Sequence, residues 1–319
     1  MTENRKTADL PLAVWPSAQR TSQWQRYGRY LAESNRHPGK MLPALARRAV
    51  ETYSDPGGLV VDPMCGIGTT LVEAIDLGRR AIGVELEPRW AKLAAANIEH
   101  VHESPRTRAL AQVAEGDARQ LARVLTTQAR RLVSPGDSTV RRMAYGVADL
   151  ILTSPPYACE VADLNTVSGP EPLRRDDTTN YSRDRRNLGH ARGSAYLVAM
   201  DDIYRACAAV LKPGGFLVCV TKDMRSGGGG ALRNLSGETI TLCEDAGLIY
   251  WQRVISLLAT VRDSELVMRP SFWQTLHARR RREKGDPTQV VAHEDVLVFR
   301  KPHVAAAARA QERPVRKAA

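Results

Sequence analysis

The chain has 319 residues, 43% of them hydrophobic and 25% charged, which suits a large α/β domain with its own core and excludes a disordered or fibrous chain. Forty-six Lys and Arg against 35 Asp and Glu leave a net charge of +11, which points to a polyanionic partner, nucleic acid before an anionic membrane surface. No apolar run has the length of a membrane span, and "MTENRKTADL" lacks the apolar centre of a signal peptide, so a cytoplasmic protein without membrane contact is expected.

Residues 1 to about 20 are polar with scattered prolines and read as a loose arm. "LPALARRAVETY" has helical apolar spacing at Leu45, Ala49 and Tyr53, broken by Pro56-Gly57. "GLVVD" is a short apolar run ending in an acid, as in a buried parallel strand. "TTLVEAIDLG" predicts a helix closed by Gly78, "RAIGVELEP" a second strand and "RWAKLAAANIEHV" a second helix. "ALAQVAEGDA" and "RQLARVLTTQARRLV" repeat the pattern, and "ADLILTSPPY" brings a fourth strand. A long polar segment follows, then the helix "YLVAMDDIYRACAAVL", the turn "KPGG" and the strand "FLVCVTKD". "GETITLCEDAGL" predicts a helix, and "IYWQRVISLL" and "EDVLVFRK" the last strands. This alternation predicts a Rossmann-like, mostly parallel, doubly wound α/β sheet.

"LVVDPMCGIGTT" puts Gly66 and Gly68 between a strand and a helix. Glycines let a ligand approach the backbone, and the helix offers its first amides to an anionic group. Asp62 ends the strand, where an acid can hold an ammonium. Glu85 ends the next strand, where an acid bonds a ribose diol. Leu71 replaces the third glycine of a dinucleotide fingerprint, and Asp62 would repel a pyrophosphate. A ligand with an amino group, a carboxylate and a ribose fits better, and S-adenosyl-L-methionine is one. Asp117, in "EGDA", stands where it could accept from an adenine amine.

TSPPY, residues 153–157, leaves the fourth strand at the end where open α/β sheets bind ligands. Two prolines hold an extended backbone whose carbonyls look outward for donors. Ser154 Oγ and the Pro155 carbonyl could accept both hydrogens of a nucleobase amine, pulling its nitrogen towards sp³ so that it attacks a sulfonium methyl in line. Tyr157 would stack on a base flipped out of its duplex.

The chain resembles the exocyclic-amino methyltransferases of DNA, which act on cytosine N4 or adenine N6. DPMCGIGTT resembles their cofactor loop, TSPPY their catalytic motif, and HPGKM, residues 37–41, the segment closing over the methionine end of the cofactor. The resemblance implies a methyltransferase fold over residues 25–302, between an N-terminal arm (1–24) and a disordered basic tail (303–319), with 158–195 a substrate-binding loop. It implies cofactor contacts from Lys40, Asp62, Pro63, Cys65, Gly66, Gly68, Thr69, Glu85, Asp117, Ala118 and Thr153. Ser154, Pro155, Pro156 and Tyr157 would be catalytic. The serine form of the motif is most typical of N4-cytosine enzymes. Duplex DNA is the expected partner, RNA the alternative, and a cognate restriction endonuclease a further candidate. The cofactor segments precede the catalytic motif, Cys65 stands where many members have Gly or Ser, and no large target-recognition domain is evident. Adenine N6 in DNA, guanine N2 in RNA and a catalytically dead nucleic-acid-binding protein are the competing readings.

Two basic segments are candidates for phosphate contact. One carries Arg183, Arg185 and Arg186, and the other Arg279, Arg280, Arg281 and Arg282. The five cysteines, at 65, 159, 207, 219 and 243, never form a CxxC pair. Reduced thiols and no metal are therefore expected. Cys159 does not follow a proline as the nucleophile of cytosine C5 methylation does.

Overall fold

The computed structural model describes residues 11–37, 39–103, 109–132, 146–156, 184, 186–191, 193–225, 231–270 and 272–303. In chain order the elements are β1 (Val14–Pro16), α1 (Ser22–Arg26), α2 (Pro43–Tyr53), β2 (Leu59–Asp62), α3 (Thr69–Asp76), β3 (Arg80–Glu85), α4 (Pro88–His102), β4 (Ala111–Glu115), α5 (Leu121–Leu132) and β5 (Ala148–Thr153). There follow α6 (Gly193–Val210), β6 (Leu211–Thr221), β7 (Met224–Arg225), β8 (Leu232–Arg233), α7 (Leu235–Asp245), β9 (Ile249–Leu257), β10 (Ala259–Arg262), β11 (Glu265–Met268), α8 (Phe272–Glu283) and β12 (His293–Arg300).

Eight strands form one sheet in the order β1-β9-β12-β6-β5-β2-β3-β4. The apolar runs of β2, β5 and β6 sit at its centre, buried by helices on both faces, as a parallel sheet requires. One face packs Leu45 and Val50 of α2, Leu71 and Ile75 of α3, and Ile98 of α4 against Val60, Leu150 and Val218. The other packs Leu121 of α5, Tyr204 and Cys207 of α6, and Cys243 of α7 against Val61, Ile151 and Leu217. Pro43 and Pro88 open α2 and α4 where a missing N–H costs nothing. β12 alone runs against its neighbours β6 and β9. The order reverses at β2, whose neighbours are β3 and β5. The carboxyl ends of β2 and β5 thus meet at the switch point.

The arm expected over residues 1–24 is corrected for its described part. Val14–Pro16 pairs in parallel with β9 as the outermost strand, Trp15 is buried, and the Ser256 hydroxyl donates to Ser17 Oγ at 3.0 Å. Polar composition concealed this because an edge strand has one partner and needs one buried anchor. Also absent from the sequence reading are the β7–β8 ribbon, the β10–β11 hairpin and helix α8. Among the described residues no helix is long and apolar enough to cross a membrane.

Candidate active site

The loop after β2 is shaped by two glycines. Gly66 and Gly68 have φ of +53° and +81°, a region that costs other L-residues roughly 1–2 kcal/mol. Space for a side chain is tight as well. A Cβ on Gly66 would lie 3.2 Å from His37 Nε2, and one on Gly68 would lie 3.2 Å from Ala94 Cβ. Gly68 caps α3, so the first amides of that helix open towards the loop. Cys65 anchors the turn to β3: its N–H donates to the Val84 carbonyl at 2.9 Å, and its buried thiol fills the space over Gly83. Burial pushes that thiol well up, so Cys65 serves packing. Pro63 is buried beside it.

Two acids close the strand ends. Asp62 is buried and accepts from Thr70 Oγ1 at 2.6 Å and Met64 N at 3.1 Å. Burial pushes its pKa up to about 6 despite these bonds. The Thr153 hydroxyl is near enough to help hold that charge but makes no hydrogen bond of ordinary geometry. Glu85 accepts from Gly66 N at 2.8 Å and Glu87 N at 2.9 Å, and burial takes it to about 7. Each acid uses two of about four acceptor positions, so each can still receive an ammonium or a hydroxyl pair. Asp117 sits differently. Its carboxylate is forked by Arg119 Nε and Nη2 and accepts from Arg119 N at 3.0 Å. Next to it, Ala118 is buried at the start of a short 3₁₀ turn.

The segment before α2 lies against the glycine loop. Lys40 Nζ donates to the His37 carbonyl at 2.8 Å and to the Asn35 carbonyl at 3.2 Å. Burial, and then the nearby Arg26, bring Lys40 down to about 8. Sequence reading missed Arg26, which is buried to 2% exposure. It donates to Ser22 Oγ at 2.6 Å, to the Met41 carbonyl and to Thr69 Oγ1 at 3.5 Å, while its Nε has no partner. Arg26 and Lys40 are thus two cations beside the loop with no ion pair to a carboxylate among the described residues. This donor set fits a small zwitterion with a carboxylate. Burial and the Lys40 charge depress His37 to about 3, so it is neutral. It meets Trp90 edge-on at 4.6 Å. The only advance sign of Arg26 was the mix of aromatics and arginines in "SQWQRYGRY".

Thr153 is fully buried at the end of β5, with Ser154 and Pro156 half-buried and Pro155 buried. Tyr157 lies outside the described residues. Tyr196 of α6, also missed, donates its hydroxyl to the Pro156 carbonyl at 3.1 Å, and Arg233 of β8 lies 5.0 Å from its ring centre. One of the two acceptor positions of the Pro156 oxygen is thereby engaged. The β5–β6 register ends with Thr153 opposite Cys219. Lys222 is buried next to Glu294, whose Oε2 is buried without a hydrogen bond. Of the expected loop 158–195, residues 158–183, 185 and 192 lie outside the described set. Asn187 anchors its return, donating to Glu87 Oε1 at 2.8 Å. Asn187 thereby lies beside the end of β3.

The basic residues divide. Arg183 and Arg185 lie outside the described residues. Arg186 forks Asp184 at 2.6 Å. Arg281 is tied to Asp286 and to Thr288 Oγ1, and Arg282 donates to the Thr288 carbonyl at 3.4 Å, whereas Arg279 and Arg280 of α8 face solvent. Among the described residues no group of His, Cys, Asp or Glu is placed to hold a metal ion.

A family model described as DNA methylase, of the N6/N4 type, matches residues 2–96. S-adenosyl-L-methionine is the cofactor of that family. The chain is 42% identical over 64 residues to a tRNA (guanine(10)-N2)-dimethyltransferase of Methanocaldococcus jannaschii, covering 20% of this chain and 18% of that protein. It is 36% identical over 72 residues to the DNA adenine methyltransferase YhdJ of Escherichia coli, covering 22% and 24%. It is 46% identical over 55 residues to the type II methyltransferase M.SmaI of Serratia marcescens, covering 17% and 19%. The chain thus spans less than a quarter of the length of each of these relatives.

Proposed function

We propose that this chain, whose residues 2–96 belong to the N6/N4 DNA methylase family, transfers a methyl group from S-adenosyl-L-methionine to the N4 amine of cytosine in duplex DNA. The observation that carries this reading is the meeting of Ser154-Pro155-Pro156 with Asp62 and the glycine loop at the switch point of the sheet. The cofactor supplies an electrophilic methyl on a sulfonium. Gly66, Gly68 and Thr69 would border its methionine end, with Asp62 holding the ammonium and Lys40 and Arg26 the carboxylate. Glu85 would take the ribose hydroxyls. Asp117 would reach an adenine amine only by sharing its fork with Arg119. Ser154 Oγ and the Pro155 carbonyl would accept the hydrogens of the target amine, and its nitrogen lone pair would take the methyl as the methyl–sulfur bond breaks and leaves its electron pair on a neutral thioether sulfur. The amine loses one proton to solvent, and no covalent bond to the protein forms. These acceptors act mainly as charge develops on nitrogen, so they lower the barrier more than they tighten binding.

Adenine N6 in DNA and guanine N2 in RNA are the alternatives; one relative is named a DNA adenine methyltransferase and another a tRNA guanine-N2 dimethyltransferase. Nucleoside mass spectrometry on unmethylated DNA and RNA treated with the enzyme decides among them. N4-methylcytosine in DNA is the expected product. N6-methyladenine alone would keep the mechanism and overturn the base. Methylation of RNA alone would overturn the substrate class. Failure to bind the cofactor by calorimetry would leave only the binding-protein reading.

A further inference from the structure

β9 runs antiparallel to β12, β12 antiparallel to β6, and β6 parallel to β5 and so to β2. β9 therefore ends at the same edge of the sheet as Asp62 and Thr153. β12 starts from that edge. Everything between them, residues 258–292, is an excursion on the active-site end. It carries seven Lys and Arg against four Asp and Glu.

The excursion begins with the β10–β11 hairpin. Asp263 and Ser264 at its tip have φ of +49° and +66°, the twist-matched two-residue turn of tight hairpins. Its inner face is fixed, because buried Thr260 donates to Gln19 Oε1 at 2.9 Å. Its outer face pairs Val261 with Leu266, and both are more than half exposed.

From Gln19 the same rim continues into α1. Gln25 Nε2 donates to the Ser17 and Arg20 carbonyls at 3.0 and 2.9 Å. The Arg20 guanidinium lies 4.5 Å above the Trp24 ring. Trp24 is 58% and Tyr27 85% exposed. The rim then reaches the glycine-loop helix through Arg26 and Thr69. One exposed aromatic needs no explanation. Trp24 on α1, beneath Arg20, and Tyr27 just past the helix, joined by hydrogen bonds through Gln19 to an apolar hairpin at the active-site edge, form a surface. Flat rings interleaved with cations match a polymer that has flat bases on a phosphate chain.

We infer that the α1–hairpin rim is the platform for the nucleic-acid strand flanking the target base. Bases stack on Trp24 and Tyr27, the hairpin supports the strand's apolar edge, and nearby arginines hold its phosphates. This inference rests on the nucleic-acid methyltransferase reading and adds to it the surface that engages the polymer.

The test titrates a fluorescein-labelled mixed-sequence DNA duplex and its single strand with the full chain, the Trp24→Ala/Tyr27→Ala variant and the Val261→Ser/Leu266→Ser variant. Both aromatics are exposed, so their removal leaves the fold intact, and unchanged calorimetric affinity for S-adenosyl-L-methionine checks this. The aromatic variant should bind the single strand on the order of tenfold or more weakly. Its salt dependence should be unchanged, because no charge is removed. Quenching of tryptophan emission by the strand should shrink in the same variant. Methyl transfer by the wild type with equal affinity in the aromatic variant would overturn this inference alone. Neither nucleic-acid binding nor methyl transfer by the wild type would overturn the underlying reading as well. Sedimentation showing a dimer that Val261→Ser/Leu266→Ser dissociates would assign the hairpin face to a second copy of the chain and overturn its role here.

Discussion

The two sides of the active-site edge are built by different rules. Around β2 and β3 the polar groups are buried and held by short bonds: Asp62 by Thr70 and Met64, Glu85 by Gly66 and Glu87, Glu73 of α3 by Arg29 and Tyr30. Around β9 and β12 the edge is open, with exposed Arg279 and Arg280, an apolar hairpin face and the exposed aromatics Trp24 and Tyr27. A small cofactor has one shape, so its contacts can be organised in advance inside a dry pocket. A long polyanion is held over a wide, wet surface by many weak contacts. The difference predicts that changes on the first side alter cofactor affinity or chemistry, and changes on the second alter polymer binding.

The largest effect should come where the two sides meet. Ser154→Ala should slow single-turnover methyl transfer by on the order of 10²-fold or more, by analogy with loss of one transition-state hydrogen bond, with cofactor affinity unchanged in calorimetry. An equal loss of cofactor affinity would move Ser154 to the cofactor side of the comparison. Glu85→Ala should weaken S-adenosyl-L-methionine binding by roughly 10–100-fold, from charge-assisted bonds of about 1.5–3 kcal/mol each. Wild-type affinity in a folded variant would remove Glu85 from the site.

The buried acids also give the cofactor side a pH signature. Their pKa values are raised on folding, so the folded chain holds their protons more tightly than the unfolded chain. The stabilisation from this is fully present below about pH 4, where both states are protonated in excess. It is lost as pH rises through about 6 for Asp62 and about 7 for Glu85. Thermal melts of the free protein should fall by a few degrees between about pH 5 and 8. The decline should be smaller in Asp62→Asn, and smaller when the cofactor ammonium stabilises ionised Asp62. A decline of equal size in wild type and Asp62→Asn would place its origin elsewhere.

The smallest effect belongs to the open side. Neutralising exposed Arg279 and Arg280 should weaken DNA binding about equally on all sequences and flatten the slope of log K against log salt by roughly two. Changing Arg281, already tied to Asp286, should flatten it less. Equal slopes for all variants would return α8 to a solvated surface.

The parts of the site that were legible in the sequence are those made by neighbours along the chain. A strand ending in Asp62, two glycines and a helix form one local unit, and the second acid follows at the end of the next strand. "TSPPY" declares its rigidity through two consecutive prolines, and the doubly wound order follows from alternating apolar periods. The Trp15 strand escaped notice because an edge strand of three residues has almost no pattern. Helix α8 escaped because its run of arginines carries little apolar periodicity, and Ala278 is its buried residue among those described.

The amino-acid order by itself determined the glycine loop, the two acids and the stiff turn after β5, because each depends on backbone preferences and spacings within a few residues. Only the tertiary structure decided that Arg26 lies buried against Thr69, 43 residues away in sequence. It alone decided that Tyr196 engages the Pro156 carbonyl, 40 residues back, and that Gln19 joins a hairpin 241 residues further on. Such contacts are chosen by how the sheet stacks its layers and by where a buried donor finds its acceptor. Neither leaves a periodic mark along the chain.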